Sequence, residues 1–335
     1  MRKVIKIKFQ NGISKEIAYN EIFNELTGNY IFEESEQPDF ILFGPYGNDI
    51  PKPGNYIRIG YYCENIIPDM SVCEWAFGTM REEEINDNRY KRIQWHDLDP
   101  KSLVKPVSYN AEEMFEQKDS FCAFIYSNKV PYREEFFRQL SKYKKVDAPG
   151  LSMNNMENNI DSVYKGTPWE RKRQFLKKYK FTISFENYVY PGYQTEKLYD
   201  AMLANSLPVY CGDPYINDIF NTASFINVAD HINVNNSANV NFLGKQSQQN
   251  FKDIRPSYYH NPLDRLQRKL KSAGRRAKMR MQFKNFDFSP AIEKIIELDQ
   301  NRDKYLEVLN EPWLNNNIPP ANQSTKARWI EIFIK

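Results

Sequence analysis

The sequence predicts an α/β protein built from two Rossmann-like halves that face each other across a cleft, and three observations carry that reading. The chain has 335 residues, enough for about two domains at ~150 residues each. Short apolar runs bounded by Gly and Pro, as at Phe43-Gly44-Pro45 and Pro53-Gly54, alternate with polar helical stretches, the pattern of a mostly parallel sheet. The alternation pauses at the linker-like Asp99–Pro106 and then restarts, so the halves are expected to join near residues 105–118.

Taken in order, Val4, Ile5, Ile7 and Phe9 form the first strand, with Lys6 and Lys8 interrupting what would otherwise be the apolar core of a signal peptide. A helix around Ile17–Leu26 and strands at Phe40–Phe43 and Tyr56–Cys63 complete the first half. The second half reads as a strand at Phe121–Tyr126, a helix from Pro131 to about Lys142, a strand at Phe181–Glu186, a helix at Thr195–Asn205 and a strand at Leu207–Cys211. Between Asn233 and Ser289 the texture changes to Asn and Gln and then to a run, Arg265–Lys284, with nine basic residues and no acidic one. This reads as an insertion. Helical phase resumes over Ile292–Leu306, Pro312–Pro320 forms a loop, and Lys326–Lys335 is a short amphipathic helix. The expected division is therefore 1–112, 113–317 with the insertion near 233–289, and a terminal helical piece at 318–335.

Composition removes several function classes. Hydrophobic residues at 41% and aromatics at 15% are too abundant for a disordered chain. Against 43 acidic residues the 46 basic ones leave a net charge of +3, too small for the whole surface to attract nucleic acid, so any anion site must be local. No apolar run approaches the ~20 residues that cross a bilayer, and a cytoplasmic protein is expected. Cys63, Cys73, Cys122 and Cys211 show no C-x-x-C spacing and only three His are present, so no metal site is expected and reduced thiols are the default. Asp97-Leu98-Asp99 resembles the Asp-x-Asp of metal-dependent sugar transferases but reads equally as a turn before Pro100. G-x-G-x-x-G, P-loop and G-x-S-x-G patterns are lacking.

Two local violations of helix electrostatics point to a site. Thr195 and Glu196 suit the start of a helix, whereas Lys197 places a cation in the first turn, against the positive end of the dipole. Arg133 does the same in the helix begun by Pro131. Both follow strand ends, the positions that border the ligand crevice of a doubly wound sheet, and together they would suit a diphosphate; each taken alone is equally a solvated helix residue. Glu64, just past the strand ending at Cys63, is a carboxylate that could face the same crevice and act as a general base, or simply sit in solvent. Tyr210 and the turn Gly212-Asp213-Pro214 lie where a nucleoside would rest.

Phe185-Glu186-Asn187, Gly192-Tyr193-Gln194-Thr195-Glu196-Lys197 and Pro208-Val209-Tyr210-Cys211-Gly212-Asp213-Pro214 resemble the donor-site signature of the family-10 glycosyltransferases, the α1,3/4-fucosyltransferases. The likeness extends through Phe121–Asn128 and Arg133, through Cys63-Glu64-Asn65, and downstream through Phe225–Val228 and Tyr305–Leu314. It implies a GT-B fold, with an acceptor-side first domain and a GDP-sugar-binding second one. By the same resemblance Glu64 is the general base, Arg133 and Lys197 contact the diphosphate, Glu196 holds the ribose hydroxyls, and Asn187 and Tyr193 line the donor pocket. Ser127, Lys180, Glu186, Tyr210 and Gly212 are added as further donor-pocket candidates. The activity implied is inverting transfer of L-fucose from GDP-fucose to the 3-hydroxyl of GlcNAc or glucose in a β-galactoside glycan or glycolipid, without a required metal or other cofactor. Its rivals are another GDP-linked deoxysugar, or an inactive scaffold that binds anionic surfaces or nucleic acid through residues 265–284. Nucleic acid is not an expected partner; the basic run suits peripheral contact with an anionic membrane.

Overall fold

A computed structural model describes residues 2–94, 99–157, 160–255, 261–320 and 325–334. The first sheet comprises β1 (Lys3–Gln10), β2 (Tyr30–Glu34), β3 (Phe40–Phe43), β4 (Ile57–Tyr62), β5 (Trp75–Gly78) and β6 (Tyr90–Arg92), in the order β2-β1-β3-β4-β5-β6 with every pair parallel. Phe40–Phe43 is buried at all four positions, which is why it reads as an unbroken apolar run. Strands β2, β5 and β6 go beyond the sequence reading, because each is too short or too polar on one face to stand out. The helix expected over Ile17–Leu26 is instead three short turns. Phe23 N–H reaches back five residues to the Ala18 carbonyl at 2.8 Å, and the shift in register seats the Phe23 ring on Phe32 at 4.1 Å.

The second sheet contains β7 (Ser120–Ala123), β8 (Val146–Asp147), β9 (Tyr179–Phe185), β10 (Leu207–Cys211) and β11 (Ile226–Asn227), again parallel, in the order β11-β10-β9-β7-β8. Helices α1 (Pro131–Leu140), α2 (Pro168–Leu176) and α3 (Glu196–Leu203) belong to this half. The strand order reverses between β7 and β9, so the chain leaving their carboxyl ends frames the crevice where such sheets bind ligands. The four cysteines are free thiols.

The insertion forms α4 (Ala238–Ser247) and α5 (Pro262–Gln282), which pack together. A methyl group on Gly274 would meet Ser247 Cβ at 2.8 Å, so only glycine permits this close approach. Between these helices the chain crosses to the first half. Ile67 N–H donates to the Gln249 carbonyl at 2.9 Å, Phe251 N–H donates to the Ile67 carbonyl at 3.0 Å, and Phe251 is fully buried against Phe43 and Tyr62.

The helical stretch expected at Ile292–Leu306 is two helices, α6 (Ser289–Gln300) and α7 (Arg302–Asn310). Asn301 breaks them with φ −122° and ψ 100° and caps the second by accepting from Lys304 N–H at 3.0 Å. The last helix, α8 (Lys326–Ile334), returns to the first sheet and places Trp329, Ile332 and Phe333 in its core, with Trp329 stacked on Phe77 at 4.2 Å. Among the described residues no helix is long and apolar enough to cross a membrane.

Candidate functional site

Strand β9 leads directly into Glu186 and Asn187, and the loop that follows returns to α3 beside them. Glu186 is fully buried. Both its oxygens accept from the Thr195 hydroxyl, at 3.0 and 2.8 Å, and Oε1 also accepts the Thr195 N–H at 2.8 Å. Thr195 thus occupies the cap position of α3 without capping it, since its hydroxyl is turned back to Glu186. Lys197 Nζ lies 3.3 Å from Glu186 Oε2 and 3.8 Å from Glu196 Oε1. The first-turn cation that opposes the helix dipole therefore has two carboxylates, one of them supplied just past a strand end ten residues upstream of its own turn, which no helix-local argument can see.

These charges set one another. Burial alone would lower the Lys197 pKa, but Glu186 and Glu196 outweigh it and hold the ammonium protonated above its ordinary value. Burial also opposes ionisation of Glu196, yet Lys197 and Lys172 pull its carboxyl down to about 2. Lys172 on α2 is 2.8 Å from Asp200 and 3.6 Å from Glu196. In Glu186 desolvation wins over Lys197, and the pKa is raised.

Arg133 arrives from α1 at the neighbouring strand end. It is fully buried, donates to the Asn128 carbonyl at 2.6 Å and to Asn187 Oδ1 at 3.1 Å, and stacks 3.6 Å from the Tyr126 ring. Its Nε has no hydrogen-bond partner. Arg133 and Lys197 are thus held at the same strand end, through Asn187 and Glu186, and Arg133 lowers the affinity of Lys197 for its proton.

Across the cleft, Glu64 follows β4. Tyr193 Oη donates to Glu64 Oε2 at 3.1 Å, joining the two halves at the carboxylate. Desolvation raises the Glu64 pKa, while Lys197 and the Tyr193 hydrogen bond counter part of the rise. Glu64, Asn187 and Tyr193 line one cavity of about 180 Å³ together with Tyr46, Tyr188 and, from the insertion, Arg275.

Other candidates are placed differently. Lys180 is at the opposite end of β9 from Glu186, about 20 Å away at the rise of a strand, and pairs with Asp299 at 3.0 Å; it is removed from the pocket. Tyr210 is fully buried and accepts the Asp213 N–H at 2.8 Å, a support beneath the site rather than a wall of it. A Cβ on Gly212 would clash with Tyr210 Oη and meet Glu186 Cγ at 2.6 Å, so Gly212 is what lets the Glu186 side chain lie there. Ser127 is exposed on the loop leading to α1. Asp97 lies outside the described residues, and Asp99 serves as a cap, accepting from Lys101 N–H at 2.9 Å. Among the described residues no group of His, Cys, Asp or Glu is arranged to hold a metal ion.

Asp213, read from the sequence only as part of a turn, anchors the whole Tyr190–Thr195 loop. It accepts from Gly192 N–H at 2.9 Å and from Gln194 Nε2 at 2.7 Å, and Arg92 from the first half donates to the Gly192 carbonyl at 2.8 Å. Gly192 holds φ +80°, a conformation that suits glycine. The paired signal of Gly192 and a downstream Asp is visible in the sequence, but the contact is not.

Residues 115–259 match the family model described as glycosyltransferase family 10 (fucosyltransferase) C-terminal. An α-(1,3)-fucosyltransferase of Helicobacter pylori is 31% identical over 254 residues, covering 64% of this chain and 51% of that protein. A putative fucosyltransferase of Acanthamoeba polyphaga mimivirus is 35% identical over 126 residues, 37% of this chain and 21% of that protein. The chain thus spans about half the length of the bacterial relative and about a fifth of the viral one. A crystal structure of an α1,3-fucosyltransferase with GDP-fucose superposes with a TM-score of 0.63 at 20% identity, covering 100% of this chain and 90% of that one. Its fold is therefore shared, and the architecture is GT-B, two Rossmann-like domains about a cleft.

Proposed function

We propose that this chain, which carries a family 10 fucosyltransferase domain over residues 115–259, transfers L-fucose from GDP-fucose to the 3-hydroxyl of GlcNAc or glucose in a β-galactoside glycan, with inversion. The observation that carries the reading is that Arg133 and Lys197 are held at one strand end through Asn187 and Glu186, and that Asn187 lines the same cavity as Glu64. Arg133 is buried with an unsatisfied Nε, and a buried guanidinium is stabilised strongly only by an anion. The diphosphate supplies one. Asn187 orients the guanidinium, and Glu186 and Glu196 keep Lys197 charged. Glu196, ionised to about pH 2, accepts hydrogen bonds from the ribose hydroxyls, and Tyr193 lines the donor pocket.

In the reaction the acceptor oxygen attacks the anomeric carbon from the face opposite GDP while Glu64 takes the hydroxyl proton. The bond to the diphosphate breaks, its electron pair leaves with GDP, and Arg133 and Lys197 meet the developing charge. No metal is assigned a part, so turnover is expected to persist in excess chelator. The deciding experiment is a GDP-release assay with GDP-fucose and with GDP-mannose, each with and without N-acetyllactosamine and lactose. Release that requires both GDP-fucose and an acceptor supports the reading. Preference for a different GDP-sugar moves it to another donor, and acceptor-independent release refutes it.

The run of basic residues supports a peripheral membrane contact in modified form. Lys271 pairs with Asp253, and Arg275 and Lys278 are buried, so three of the cations expected at the lipid are turned inward. The outer face of α5 instead offers Lys269, Arg276 and Arg280 beside exposed Leu263, Leu266 and Leu270, the mixture that seats a helix at an anionic interface. Co-sedimentation should rise with the phosphatidylglycerol content of vesicles and fall for Leu266→Ser with Leu270→Ser; binding indifferent to anionic lipid refutes it.

A further inference from the structure

The insertion does more than add helices to the second half. Its segment Gln248–Phe251 is hydrogen-bonded to the loop that carries Glu64: Gln248 Nε2 donates to Asn65 Oδ1 at 3.0 Å, and the Ile67 and Gln249 backbones are paired. Gln249, Ile254 and Arg275 thereby enter the wall of the cavity that holds Glu64.

Arg275 is the unusual member of this wall. It is 9% exposed. One guanidinium nitrogen donates to the Ser247 carbonyl at 2.9 Å, and the group lies 5.6 Å from the Tyr188 ring. Its Nε is buried without a partner, and among the described residues no carboxylate forms an ion pair with it. Its neighbours on the helix are treated differently: Lys271 has Asp253, and Lys278 donates to the Val189 carbonyl over the Tyr190 ring. Glu64, the carboxylate of the same cavity, is bonded to Tyr193. A buried cation without a counter-ion is costly, and the cost falls when a ligand brings the anion. In the transferase reading the donor diphosphate already has Arg133 and Lys197, which come from α1 and α3 of the second half.

We propose that Arg275 is a specificity-determining residue of the acceptor side, and that it reads a sugar carboxylate close to the hydroxyl from which Glu64 takes the proton. The inference rests on the transferase reading above and narrows its acceptor to an acidic glycan. A planar guanidinium suits a carboxylate because two N–H groups meet two oxygens, whereas a lysine offers a point charge.

The test compares N-acetyllactosamine with the same disaccharide oxidised at C6 of galactose to a uronate, in wild type, Arg275→Gln and Arg275→Lys. Wild type is expected to favour the uronate by tenfold or more in kcat/KM, with the difference in KM. Arg275→Gln should erase the preference while leaving GDP affinity in calorimetry unchanged, and Arg275→Lys should keep part of it. Equal use of both acceptors by wild type overturns the proposal, as does an equal loss on both acceptors in Arg275→Gln or a loss of GDP affinity. Should neither sugar accept fucose, the transferase reading fails separately. Titration of the uronate disaccharide into the GDP-saturated protein then still decides: binding that disappears in Arg275→Gln supports the assignment, and no binding to wild type overturns it.

Discussion

At the scale of single residues, Glu64 carries the sharpest expectations. Glu64→Gln should retain GDP binding and lose transfer by about 10²-fold or more, as removal of a general base does. As the proposed base the carboxylate would work ionised, and burial has raised its pKa above the ordinary value, so the rate should fall on acidification at a higher pH than an exposed glutamate would give. The Tyr193 hydrogen bond favours the ionised form. Tyr193→Phe should therefore move the acid limb of the pH–rate profile further upward, and a limb that stays in place or moves down would remove Tyr193 from that role. Lys197→Ala and Arg133→Ala should weaken GDP binding in calorimetry; unchanged affinity in both would sink the diphosphate assignment. Of these residues, Glu64, Arg133 and Lys197 were legible in the sequence because each breaks a local rule or follows a strand end. What was not legible is that Glu186 answers Lys197, since their contact depends on the path of the loop between them.

At the scale of elements, the loop from Tyr190 to Thr195 and the turn at Gly212 act as one unit. Asp213 ties them through the Gly192 amide and the Gln194 side chain, and Gly212 leaves the space that Glu186 occupies. Gly212→Ala should destabilise the protein by about 1–3 kcal/mol, the usual penalty for forcing an extra carbon into a packed site, and should lower GDP affinity because Glu186 is displaced. Denaturant titration and calorimetry on the same variant check both. The broken helix at residues 15–26 and the split at Asn301 show why apolar periodicity misplaces element boundaries. Apolar periodicity records which residues face the core, and Ala18, Ile22, Phe23 and Leu26 all do, but it does not record the hydrogen-bond register that brings them there.

At the scale of the whole molecule, the chain crosses between its halves more often than the expected linear division implies. The insertion supplies Phe251 to the first half, and α8 supplies Trp329, Ile332 and Phe333. Trp329→Ala should cost about 3–5 kcal/mol, as for other buried aromatic truncations, and in a denaturant titration the loss should appear in the unfolding of the first half although the mutation is near the end of the chain. A variant as stable as wild type would show that α8 is dispensable to that core.

By itself the sequence determined the α/β alternation, the strand ends at which Glu64, Arg133 and Lys197 stand, and the family likeness, because each is written in local pattern: period, capping and the order of residues around a turn. Tertiary structure alone decided that Lys180 stands at the far end of its strand from Glu186, that Asp213 holds the Tyr190–Thr195 loop, and that part of a basic insertion turns inward to wall the cavity beside Glu64. Those outcomes depend on which segments meet across tens or hundreds of residues, and pairing, burial and charge compensation at such separations leave no periodic trace along the chain.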